Sequence, residues 1–230
     1  MNIDARINVL RRVPLYEGLD DTALLMVARE AHERHLEKGA PLFTQGEEAL
    51  HGYVVGRGWL RLEQLTSDGQ NVVLRHMGAG DMLGTVAVLR HRPFPATLIA
   101  MEECMVLSWS VARLSEQMQR FPAIAVNAIK VIGGRVEELQ ARLQEIATHR
   151  VDRRIAAALL RIVAQSGRPV DGGIEIPFSL SRQDLAEMTA TTLHTVSRIL
   201  SAWDQEGMIS SRRSSHLVIR NPERLAEIAR

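Results

Sequence analysis

The sequence predicts an α+β fold: a small β-roll (jelly roll), then a long dimerisation helix, then a C-terminal winged helix-turn-helix. Three observations carry this. Nine of the 16 glycines fall between Gly39 and Gly84, among short apolar runs, the pattern of closely spaced strands and turns. Beyond Phe121-Pro122, apolar residues recur at alternating intervals of four and three, the heptad rhythm of a helix with one narrow seam. The last third holds two short capped helical patterns and then two strand-like runs flanking Arg212-Arg213. The expected division is residues 1–121, residues 122–150 for the helix and a hinge, and residues 151–230.

Composition bounds the function classes. At 230 residues, 46% hydrophobic and 24% charged, the chain can bury a core without disulfides. Its single cysteine, Cys104, cannot form an intrachain bridge or supply an all-cysteine iron–sulfur or zinc site. In a strand it reads as a buried, inert thiol. No apolar run approaches the roughly 18 residues of a membrane span, and no basic-then-apolar leader opens the chain. A cytoplasmic protein without membrane contact is expected. The formal net charge is +1, with 17 basic and 18 acidic residues in 1–150 and 11 and 9 in 151–230. Charge balance alone therefore selects no partner.

Taken in order, Asp20 and Asp21 cap a helix running to about Ala31. Short runs at Pro41–Thr44, His51–Val55, Ala96–Met101 and Met105–Trp109 read as strands. Leu60 and Leu62 alternate with Arg61 and Glu63, Ser67-Asp68-Gly69-Gln70 supplies a turn, and Val72 and Leu74 resume the period of two, a hairpin signal. About eight strands result, enough for a roll. The long helix then carries Ala125, Ile129, Ile132, Val136, Leu139, Leu143 and Ile146, flanked by Arg135, Glu137, Glu138, Arg142 and Glu145. A stripe this thin between charges suits a partner helix better than a broad core, so a homodimer coiled coil is expected. Gly133-Gly134 marks either close helix approach or a weak point.

His149-Arg150-Val151-Asp152 reads as a hinge, with Asp152 capping the next helix. Gly167 to Gly173 reads as a loop and Ile174 to Phe178 as a strand. Ser181-Arg182-Gln183-Asp184 has the form of a capping box, and Thr191 or Thr192 caps a second helix ended by Gly207. Met208 to Ser211 and His216 to Ile219 flank the basic tip, and Asn221-Pro222 opens a last helix. Two helices on a tight turn form a helix-turn-helix. The second would turn Val196, Ile199 and Leu200 inward and present Thr192, His194, Thr195, Ser197 and Arg198 on the other side. An arginine on such a face pairs bidentately with guanine O6 and N7, so Arg198 is the expected base reader. Thr192, Arg212 and Arg213 are expected on phosphates, the two arginines having a solvated turn as their alternative.

In order along the chain, Leu36-Glu37-Lys38-Gly39, Phe43-Thr44-Gln45-Gly46-Glu47, Gly80-Asp81-Met82-Leu83-Gly84, Ser181-Arg182-Gln183-Asp184-Leu185-Ala186 and Thr195-Val196-Ser197-Arg198-Ile199-Leu200 resemble the CRP/FNR superfamily of bacterial transcription regulators. The resemblance spans essentially residues 10–225. It implies a cyclic-nucleotide-binding-like β-roll, dimerisation through the long helix, double-stranded DNA as an inverted repeat read one half-site per subunit, and RNA polymerase as a partner. It places the effector pocket at Gly84, Thr85, Pro95, Ala96 and Thr97.

The departures from the pattern matter. Where the cyclic-AMP branch carries glutamate, arginine and serine or threonine, this chain has Thr85, Pro95 and Ala96, so cAMP is not the expected ligand; Arg92 is a substitute only if it reaches the same place. The cysteine cluster of the iron–sulfur branch is missing. His194 stands where FNR-like readers carry glutamate, so a different half-site is expected. The run from Thr191 to Arg198 resembles the NnrR and Dnr-like branches, which implies a haem-based response to nitric oxide and control of nitrogen-oxide respiration. The candidate axial ligands are His32, His35, His51, His76 and His91, with Met77 and Tyr16. His32 and His35, three apart on a polar helix end, also read as solvated side chains.

An enzyme is not expected. Gly78-Ala79-Gly80-Asp81-Met82-Leu83-Gly84 has leucine at the dinucleotide motif's third glycine, and no Walker loop or HExxH occurs. The remaining alternative is a β-roll sensor that acts on a protein partner or answers another small ligand.

Overall fold

The computed structural model describes residues 1–210 and 216–230. The chain forms two compact units, Met1–Asn71 with Arg75–Glu138, and Val72–Leu74 with Leu139–Arg230.

The first unit opens with α1 (Ile3–Leu10), a 3-10 turn at Pro14–Tyr16, and α2 (Asp21–Arg29). Asp20 caps α2, its carboxylate accepting from Ala23 N at 2.8 Å. Eight strands follow: β1 (His32–Leu36), β2 (Pro41–Phe43), β3 (His51–Arg57), β4 (Leu60–Leu65), β5 (Asn71–Met77), β6 (Met82–Leu83), then α3 (Thr85–Leu89), β7 (Thr97–Ala100) and β8 (Cys104–Ser110). They form two four-stranded sheets, ordered β1-β8-β3-β6 and β2-β7-β4-β5. Alternation puts Leu98 and Ala100 of the second sheet inward with Leu60, whereas β8 of the first is buried on both faces; Val54, Val106 and Leu107 join them in one apolar cluster. Trp109 is buried within it and donates from Nε1 to Val27 O at 3.0 Å. The β4–β5 turn falls where the sequence puts it, with Thr66 N donating to Gln70 O at 2.8 Å.

Several elements of this unit differ from expectation, α3 among them. His32 and His35 lie on β1, paired with Ser108 and Met105 of β8, not on a helix end; the polar run His-Glu-Arg-His carries no period that separates the two states. α1 and α4 (Val111–Arg120) were not anticipated. α4 starts at Ser110, whose hydroxyl accepts from Arg113 N at 3.3 Å, and buries Leu114 and Gln117.

α5 (Pro122–Thr148) is the long helix. Ile124, Asn127 and Ala128 are its buried face, and Asn127 Nδ2 donates to the carbonyls of Leu15 and Glu17. Of the expected seam, Ile129, Val136, Leu139, Leu143 and Ile146 are exposed, with Ile129 at 72% and Leu143 at 68%. Ala125 and Ile132 are half-buried, while Val126 is exposed beside them.

The second unit contains α6 (Val151–Ser166), β9 (Arg168–Val170), β10 (Gly173–Glu175), α7 (Arg182–Met188), α8 (Leu193–Gln205), β11 (Ile209–Ser210), β12 (Val218–Ile219) and α9 (Pro222–Ala229). Arg150, not Asp152, is the N-cap of α6; Asp152 stands in the first turn, where its charge meets the helix's positive end. The expected loop at 167–173 is instead an antiparallel hairpin with β10, inside a four-stranded sheet ordered β11-β12-β10-β9. Ile155, Leu159, Phe178, Leu185, Leu200 and Leu225 are buried in this unit. Asn221 caps α9, and Pro222 takes its first position. Among the described residues no helix is long and apolar enough to cross a membrane.

Candidate nucleic-acid interface and effector cassette

α7 and α8 are set by their caps. Ser181 and Asp184 exchange bonds, Asp184 N to Ser181 Oγ at 2.9 Å and Ser181 N to Asp184 Oδ2 at 3.2 Å, a complete capping box. Thr189 Oγ1 closes the end of α7 on Leu185 O at 2.6 Å. The turn between them passes through Ala190 at φ +50°, a left-handed conformation that costs a β-carbon-bearing residue about 1 kcal/mol. Thr192 is the N-cap of α8, accepting from Thr195 N at 3.2 Å.

α8 buries Val196, Leu200 and Trp203. Thr192, His194 and Arg198 are exposed, and Thr195, Ser197 and Ile199 half-buried. His194 and Arg198 stand four apart and so share one face. The Thr192 hydroxyl that accepts the cap bond also sits 2.9 Å from Thr195 Oγ1. Leu193 was missed. It is 48% exposed at the first position of the helix, although the spacing to Val196 and Leu200 places it on the inward stripe; no further turn of helix precedes it to cover that side. An exposed leucine here suits the methyl of thymine. Arg212 and Arg213 lie outside the described residues.

The cassette positions lie in the first unit, at the start of α3 and at the entry to β7. Gly84, at φ +74°, is its N-cap and supplies no side-chain bond. A β-carbon there would lie 2.7 Å from Phe94 Cε1. Phe94, 2% exposed, stacks on Phe43 at 3.8 Å between ring centroids and 12° between planes, and Phe43 lies 6.0 Å from Tyr53. Pro95 O accepts from Gln64 Nε2 at 3.1 Å, Thr97 Oγ1 accepts from Gln45 N at 3.0 Å, and Ala96 is buried. Pro95 and Thr97 are thus tied to Gln64 and Gln45, and an aromatic ring occupies the space beside Gly84. Arg92 is exposed on the loop before Phe94.

The candidate haem ligands do not converge. His32 and His35 are exposed on β1, His51 at the start of β3 and His91 after α3, His35 being held by Glu33 at 2.8 Å. His76, Met77 and Tyr16 are buried, Tyr16 lying 6.0 Å from Trp109 between ring centroids. Among the described residues no three of His, Cys, Asp or Glu cluster as a metal site. Cys104 is buried in β8, its Sγ donating to the carbonyls of Trp59 and Glu102. Burial pushes its thiol up, away from the reactive thiolate.

A β-roll followed by a helix-turn-helix with an exposed polar face defines a class, the DNA-binding regulator. Residues 33–121 match the cyclic nucleotide-binding domain and residues 153–228 the Crp-like helix-turn-helix domain. The chain belongs to the CRP/FNR family of transcription regulators. It is 26% identical over 196 residues to the cyclic AMP receptor protein of Thermus thermophilus, covering 85% of this chain and 88% of that one. It is 22% identical to the CRP-like cAMP-activated global transcriptional regulator of Mycobacterium tuberculosis, covering 96% and 99%. Among solved structures, FixK2 from Bradyrhizobium japonicum superposes with a TM-score of 0.75 at 23% identity, over 87% of this chain and 98% of that one. The Mycobacterium tuberculosis relative is a transcription regulator by description.

Proposed function

We propose that the protein is an effector-responsive, cytoplasmic homodimer that reads an inverted-repeat promoter site, one half-site per subunit, and acts with RNA polymerase. The observation that carries this is the α8 face: His194 and Arg198 exposed on a helix whose opposite side, Val196, Leu200 and Trp203, is buried. Such a helix holds polar groups at a major groove without loosening its own packing. The exposed stripe on α5, Ile129, Val136, Leu139, Leu143 and Ile146, supports pairing of two subunits along their long helices. The effector is read as a small ligand sensed by the β-roll, coupled to DNA binding through differing affinity for two dimer states.

Cyclic AMP is not the ligand this reading favours, because the side chains at Thr85, Pro95 and Ala96 lack a partner for its phosphate. A haem-based nitric oxide response is supported only by the likeness of the run from Thr191 to Arg198.

The test is a gel shift on an inverted-repeat duplex selected from random DNA. Arg198→Ala is expected to weaken specific binding about 10- to 100-fold, the value of roughly 1–3 kcal/mol per bidentate base contact, while leaving sequence-independent binding in place. Equal specific affinity for the wild type and the variant would overturn this reading in favour of a sensor that works through a protein partner.

A further inference from the structure

A second site lies in the first unit, away from the cassette, where α2 meets α4. A cleft of about 120 Å³ is lined by Met26, Val27, Glu30, Arg113, Glu116, Gln117, Arg120 and Phe121. It has room for several waters, or for one molecule the size of an amino acid. Gln117 is its informative member. The side chain is 3% exposed, and its Nε2 donates to Glu30 Oε2 at 2.9 Å. Because a carboxylate only accepts, that bond fixes the amide's orientation and directs Oε1 away from Glu30. Oε1 is buried and has no hydrogen-bond partner. Buried acceptors are almost always met by a donor from protein or water, so this one specifies what is missing: an N–H or O–H.

The surroundings narrow the class. The carboxylate of Glu30 beside Gln117 favours a donor that carries positive charge. Met26, Val27 and Phe121 offer apolar contact. On α4, Arg113, Gln117 and Phe121 recur every fourth residue and Arg120 follows three after Gln117, so two guanidiniums lie along the same side of the helix as the amide. Arg113 pairs with Glu116 at 2.6 Å, and the Arg120 guanidinium lies 5.7 Å from the centre of the Phe121 ring. An ammonium requirement and guanidiniums within one amino-acid-sized cleft describe a zwitterion.

We infer that the α2–α4 cleft binds a free α-amino acid, its ammonium on Gln117 Oε1 and Glu30, its carboxylate on Arg120, and its apolar side chain against Met26 and Phe121. Phe121 ends α4, and its carbonyl accepts from Ile124 N at 2.9 Å in the first turn of α5. An occupant would therefore touch the residue from which the long helix starts. The site stands independently of DNA binding, and its test does not use DNA.

Full-length protein is titrated with each free L-α-amino acid in turn, by calorimetry and by thermal shift. At least one with an apolar side chain is expected to bind with a Kd below about 1 mM. Its decarboxylated amine and its deaminated acid are each expected to bind about tenfold or more weakly. Gln117→Leu removes the acceptor and Arg120→Ala the cation; each is expected to cost about tenfold or more in affinity. Arg120 is exposed, so its variant keeps the fold even if Gln117→Leu does not. No binding by any amino acid, or binding that Arg120→Ala leaves unchanged, overturns the inference.

Discussion

The beginnings of α3 and α8 invite comparison, since both are helix N-termini to which a family of regulators assigns recognition. α8 is capped by the Thr192 hydroxyl and leaves His194 and Arg198 open to solvent. α3 is capped by Gly84 with no side-chain bond, and the Phe94 ring lies against that glycine. Polar side chains surround the first helix start and aromatic ones the second. The lesson is that a helix end becomes a site only where the fold leaves space and charge beside it. Beside α3, Phe94, Phe43 and Tyr53 pack in series.

The comparison can be broken most forcefully at Phe94. Phe94→Ala is expected to cost about 3–5 kcal/mol, read as a lower urea midpoint at fixed protein concentration. A loss under about 1 kcal/mol would mean that the ring is not structural packing but a displaceable plug. Gly84→Ala is the next largest, at about 2–3 kcal/mol, because it adds a left-handed β-carbon and a clash with the same ring. At α8, Thr192→Ala removes the cap and is expected to cost about 1 kcal/mol in thermal stability; it also lowers DNA affinity if the helix start must be rigid to read. The smallest effect is at Ala190. Ala190→Gly relieves the left-handed backbone but adds freedom to the unfolded chain, so stability should change by less than about 0.5 kcal/mol in a chemical melt.

Much of this architecture was legible because its signals are local. Period-two alternation at Leu60 to Leu74 and the glycine spacing located the roll, and Ser181 and Thr192 located the paired helices through their caps. The reading face of α8 followed from the same periodicity, except at Leu193, where a helix start leaves exposed a residue the period assigns inward. Less local features escaped. Phe94 sits in His-Arg-Pro-Phe-Pro, and no pattern there announces a ring stacked on Phe43, fifty-one residues earlier; only the closure of the sheets brings them together. β9 hid between Gly167 and Gly172 with Pro169 at its centre, because a three-residue strand has too little alternation to register. The Gln117 cleft was invisible for a related reason. A glutamine at helical spacing is ordinary, and its unmet oxygen exists only once α2 is packed beside it.

One property of α5 has a mechanical meaning. Gly133 and Gly134 stand near the middle of its 27 residues, and a β-carbon at either would meet nothing within 4 Å. Alanine would fit the chain's own packing at both positions and would strengthen the helix by about 1 kcal/mol each. The rod, roughly 40 Å long at 1.5 Å per residue, is thus most compliant at midspan, and its bending stiffness is a quantity two methyl groups can tune while the chemistry at either end stays as it is.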